Sequence, residues 1–174
     1  MTNITHTIRN ARRLAAAAVA ALALTACSSV DCPLNNRVYA SFRLAGTVAA
    51  LADTLTVATP RTADNAGEDT VLLNRLTGAD SLSLPMSYQR DEDTFYFTLV
   101  EVGTRRTTVD TVWVAKQNEM HFESVDCAPA VFHTITGVRF TQHAIDDIQI
   151  NNNKVTYNDA KAHFLIYFSA DREQ

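Results

Sequence analysis

The side chains of this 174-residue chain that could do chemistry are three cysteines, five histidines and a few close carboxylates. Four of the histidines, His121, His133, His143 and His163, lie in the second half. None stands in an H-x-H or H-E-x-x-H spacing, which would place two imidazoles on one metal ion. His121 and His133 flank Cys127 and could meet only across neighbouring strands. Asp146-Asp147 and the Glu123/Asp126 pair are the close acids, and solvated charges on turns and strand faces account for them. There is no G-x-S-x-G elbow, and five scattered glycines build no phosphate-cradling loop. The expectation is therefore no catalytic residue, no metal and no cofactor.

The cysteines say more. Leu24-Thr25-Ala26-Cys27 resembles a bacterial lipobox, in which the thiol is acylated and the peptide is cut just before it. Ahead of it stand Arg9, Arg12 and Arg13, then an apolar stretch from Leu14 to Leu24. That stretch is too short to cross about 30 Å of hydrocarbon as a helix, as an export signal should be. Cys27 is thus the expected lipidation site, and two or three acyl chains would hold the protein stably on a bilayer. Ser28 rather than Asp, the usual retention residue at that position in such lipoproteins, follows it, so the resemblance implies sorting to the outer membrane. The lack of an acidic run after Cys27 favours the periplasmic side over the cell surface. With Cys27 lipidated, Cys32 and Cys127 remain in an oxidising compartment, and a disulfide between them is expected, two free buried thiols being the alternative.

Removing residues 1–26 takes away three of 15 basic residues and no acidic ones. The remaining 148 residues carry 12 basic against 19 acidic side chains, which argues against nucleic acid as a partner. The expected organisation is a lipoprotein signal peptide over 1–26, a lipidated Cys and short tether over 27–36, and one domain over 37–170.

The elements that must position these residues read as strands. Val38, Ala40, Phe42 and Leu44 alternate with polar neighbours, as do Leu82, Leu84, Met86 and Tyr88. Pro85 places the latter strand at an edge or a bulge. Phe95, Phe97 and Leu99 share another inward face. Thr107 to Lys116 is apolar on both faces and reads as central. Gln117-Asn118 reads as a turn, with a further strand from Met120 and Phe122 toward Cys127. Ala130 to Phe140 reads as a strand broken at Gly137, and Phe164, Ile166 and Phe168 as the last strand. Eight to ten short strands without an amphipathic helix predict an all-β antiparallel sandwich, immunoglobulin-like or jelly-roll-like.

The segments Asp31-Cys32-Pro33-Leu34-Asn35-Asn36, Leu84-Pro85-Met86-Ser87-Tyr88, His121 to Cys127, Phe132 to Val138 and Ile166-Tyr167-Phe168 are similar to those of a family of small Bacteroidota lipoproteins of unknown function. The resemblance covers nearly the whole chain after the leader and implies an anchored, disulfide-linked β domain. It also implies O-glycosylation at Asp-Ser/Thr-aliphatic triplets, which makes Thr54, Thr70, Ser81 and Thr111 candidate sites. Five of 13 aspartates precede Ser or Thr, although strand-opening Thr after turn-closing Asp gives the same pairing.

The functional reading is a non-enzymatic lipoprotein that binds or scaffolds another envelope component, a protein or a glycan. A module for a small glycan or lipid ligand is the alternative. An enzyme with an unfamiliar site near His121, His133 and neighbouring acids is the third.

Overall fold

The computed structural model describes residue 32 and residues 36–61, 69–157 and 159–169. The leader, Cys27 and most of the tether lie outside these residues. The chain divides into two compact units, residues 1–32 and 33–174, and all ten described strands belong to the second.

Ten strands and no helix make up the described residues. One sheet holds four strands in the order β4 (Ser81–Pro85), β1 (Tyr39–Leu44), β10 (Phe164–Phe168) and β8 (Ile145–Ile150). The other holds six, in the order β3 (Thr70–Leu76), β2 (Thr54–Thr59), β5 (Glu92–Val100), β6 (Thr107–His121), β7 (Ala130–Phe140) and β9 (Lys154–Val155). The sheets pack as a sandwich. Alternation does this directly: Phe42, Leu84, Phe164 and Ile166 of the first sheet and Leu55, Val57, Phe97, Val112 and Val114 of the second are sealed from solvent. Phe42 joins the layers, stacking on Phe164 at 4.5 Å and meeting Phe97 edge-on at 5.8 Å.

The expected all-β, mainly antiparallel sandwich is what forms, with one parallel pair, β1 and β10, in which Phe42 lies opposite Phe164 and Leu44 opposite Ile166. Three expectations need correction. Gln117-Asn118 is no turn, and no strand runs from Met120 to Cys127; β6 continues unbroken to His121. Gly137 does not break β7. The register between Ala115 opposite Gly137 and Lys116 opposite Ile135 skips Thr136, a bulge that the strand absorbs. Tyr88 does not follow Met86 into the core and is 61% exposed. Pro85 does end an edge strand, where its missing N–H costs no ladder bond.

Cys32 and Cys127 are disulfide-bonded. The bond joins the segment before β1 to the loop between β6 and β7.

Candidate functional site

The candidate site arises because β6 and β7 are longer than their neighbour. β5 begins at Glu92, opposite Ala115, while β6 and β7 stay paired out to His121 opposite Ala130. The loop 86–91, which carries the chain from β4 to β5, lies beside this projecting hairpin: Lys116 N–H donates to Asp91 O at 2.7 Å. On the inward face of β6 the apolar run Val112, Val114 gives way to Lys116, Asn118 and Met120. On β7 the inward residues are Ile135, His133 and Val131.

Lys116 is fully buried and satisfied. Its Nζ donates to Ser87 O at 2.6 Å, to Arg90 O and to Asn118 Oδ1 at 3.2 Å, and it lies 3.5 Å from Asp93 Oδ2. Ser87 N–H donates to the same Asp93 oxygen at 3.0 Å. Burial lowers the Lys116 pKa and raises that of Asp93, each opposed by the charge of its partner. Asn118 turns its amide nitrogen to Arg90 O at 3.1 Å, so its oxygen faces Lys116 and His133.

That orientation fixes the tautomer of His133. Asn118 Oδ1 can only accept, so His133 Nδ1, 2.8 Å away, carries the proton and donates. Nε2 is left as a bare acceptor and bonds to no other described residue. It is not sealed off, since Arg90 Nε, which is paired by charge with Asp93 at 3.8 Å, is the one side-chain nitrogen or oxygen among the described residues that is enclosed without a hydrogen bond. Desolvation and the nearby Lys116 charge push the His133 pKa down to about 4, so the ring is neutral at physiological pH.

His133 borders a cavity of about 400 Å3 whose other walls include Val38, Met86, Tyr88, Met120 and Val131. It lies where β1 begins, β4 ends and the β6–β7 hairpin projects. Its size and mainly apolar lining, with Asn36, Arg37 and His133 as the polar and charged exceptions, suit a small organic molecule. Two methionines in the wall give it adaptable surface. Arg37, before β1, borders this cavity and two smaller ones of about 210 and 190 Å3.

The 210 Å3 cavity holds a constellation that sequence reading missed. Ser41 Oγ lies 2.9 Å from His163 Nδ1, and His163 Nε2 lies 2.9 Å from Asp159 Oδ2. The residue types are those of a nucleophile, base and acid. The local bonding points to structure instead. Ser41 N–H donates to the same Nδ1 at 2.9 Å, and Nε2 also faces Lys154 O at 3.1 Å. The lone pair a general base would need is held by a backbone donor, and protonating Nδ1 would set two donors against each other. His163 is a clamp between β1, the start of β10 and the 154–159 segment. Its position five residues before a strand end carries no spacing signal, so only the fold reveals it.

The other candidate residues are dispersed. His121 lies on the outer face of the hairpin, stacked on Phe132 at 4.1 Å with Nε2 3.1 Å from Glu123 Oε1, and His133 lies on the inner face. The two do not converge. His143 Nδ1 is 3.1 Å from Asp110 Oδ1. Asp110 is fully buried and accepts from the N–H groups of His143, Ala144 and Ile145 and from the Thr141 hydroxyl. Burial raises its pKa, but these bonds outweigh it and hold the carboxyl below its ordinary value. Among the described residues, no three His, Cys, Asp or Glu side chains gather as a metal site. Of the candidate glycosylation sites, Thr70 and Ser81 are exposed, whereas Thr54 and Thr111 are half-buried.

The fold and site therefore define a β-sandwich with an apolar cavity at one end of its layers. The chain belongs to a family of unknown function, DUF6452, whose model matches residues 54–168, from the first residue of β2 to the last of β10. No curated protein and no solved structure matches it.

Proposed function

We propose that the protein is a lipid-anchored module of the bacterial cell envelope that binds a small ligand in its end cavity and catalyses no reaction. The leader and the Leu24–Cys27 motif support an anchor at Cys27. Ser28 and the lack of an acidic run after Cys27 support the periplasmic side of the outer membrane, and the family resemblance supports a member of the Bacteroidota. The cavity of about 400 Å3 beside Val38, Met86, Met120 and Val131 is the observation that carries the binding role. Exposed Thr70 and Ser81 are the triplet sites open to a sugar.

Native mass spectrometry of protein extracted from its host envelope tests both parts. The expected spectrum shows the acyl mass lost in Cys27→Ala and a non-covalent adduct lost in Met120→Arg. An apo mass that no small molecule shifts or stabilises would overturn the binding role. A second reading, docking of another envelope component, draws on exposed Phe122 and Val125 in the β6–β7 loop. A reproducible protein crosslink through that loop would favour it.

A further inference from the structure

We infer that the cavity selects an uncharged amphiphile, with an apolar body and one hydroxyl or N–H group that donates to His133 Nε2. The inference deepens the binding role above and rests on it.

The polarity of the contact is set three residues deep. Lys116 Nζ and His133 Nδ1 both donate to Asn118 Oδ1, and Asn118 cannot turn over without pointing its amide hydrogens at both donors and abandoning Arg90 O. The buried Lys116–Asp93 pair holds the lysine in place. The imidazole is thereby pinned with its proton on the Asn118 side, and the chain presents the cavity with an acceptor. His133 is 2% exposed, and Nε2 has no partner among the described residues. An acceptor on so buried a ring gains from a donor that arrives with the ligand.

Charge arguments narrow the class. A carboxylate would bring its lone pairs against that of Nε2. The proton that would relieve this is disfavoured by burial and by the Lys116 charge. An ammonium group would lose water to the Val, Met and Pro of the lining and would be repelled by two cations, Arg37 in the lining and Lys116, whose charge reaches His133. Arg37, which also lines the cavity, is the group that could instead draw an anion, and it defines the competing outcome. A neutral donor meets none of these penalties, and the apolar walls take up its hydrocarbon.

The test uses three probes of one chain length, 1-octanol, octanoate and octylammonium. Each is titrated at pH 7 into the full chain carrying Cys27→Ser, and binding is read by calorimetry and by the 15N shift of His133 Nε2. Octanol is expected to bind about tenfold more tightly than either ion, the worth of one well-placed hydrogen bond, and to shift the Nε2 resonance. His133→Gln, which keeps an acceptor, should retain the preference, and His133→Phe should abolish it while apolar binding persists. Octanoate binding as tightly as octanol, or a preference that survives His133→Phe, would overturn the inference and leave the cavity's binding role intact. If none of the three binds, both fail.

Discussion

Two buried groups, His133 and Asp110, give the protein a stability profile with separate acid limbs. His133 is held neutral, its pKa lowered from 6.5 to about 4. The unfolded chain therefore takes up a proton in that interval and the native one does not. Stability is fully present above pH 6.5 and should fall by about 3 kcal/mol on acidification to pH 4. Asp110, with its pKa lowered, keeps its contribution through that range and loses it only as the pH falls below the ordinary carboxylate value. Asp93, raised by burial, works in the opposite sense and offsets part of the loss. Urea midpoints between pH 7.5 and 3 should show both limbs, and His133→Phe should flatten the first. Asp110→Ala, which strands the N–H groups of residues 143–145, should cost about 3 kcal/mol or more at pH 7.

At the scale of elements, β6 is where sequence and structure part. Its apolar residues from Val109 to Val114 announce a central strand, and the ladder has it there, between β5 and β7. Lys116, Gln117, Asn118 and Glu119 have turn-like composition, and nothing local says otherwise. They stay in the strand because β7 pairs with them throughout, Lys116 N–H bonds to Asp91 O, and the Ser87 and Arg90 carbonyls of the loop 86–91 take up the Lys116 and Asn118 side chains. Those side-chain contacts span 26 to 29 positions, beyond the reach of periodicity. The candidate cavity was illegible for the same reason: its walls come from four separated segments, and His133 gains its role from Asn118 across the hairpin. By contrast, β1, β4, β5 and β10 were legible because each buries strictly alternate residues. Lys116→Ala should cost about 3–5 kcal/mol, because Asp93 keeps only Arg90 Nε, 3.8 Å away, as a counter-charge and the Ser87 and Arg90 carbonyls lose the lysine as a donor. Lys116→Met with Asp93→Leu should recover only the ion-pair part of the loss, since those carbonyls still lack that donor. Chemical denaturation of the two variants distinguishes these outcomes.

Across the whole molecule, the disulfide encloses β1 to β6 in one covalent loop, with Cys32 and Cys127 separated by 95 positions. Chain entropy assigns such a loop about 4–5 kcal/mol. Urea midpoints with and without reductant should differ by that order, and Cys127→Ser should lose the difference. The pairing was legible from cysteine arithmetic once Cys27 was set aside for lipidation, and it needed no knowledge of where the strands run.

The parallel pair β1–β10 adds a constraint of time. Phe42 and Phe164 are 122 positions apart, yet they share a ladder and a ring stack in the middle of the four-stranded sheet. A chain emerging from its N-terminus can pair β1 with β4 early, but the central seam of that sheet has no second half until the last strand arrives. Contacts of such long range form late and slowly. Until β10 emerges, half of the sandwich has no finished partner to close upon, so the nascent chain stays open for as long as it is being delivered.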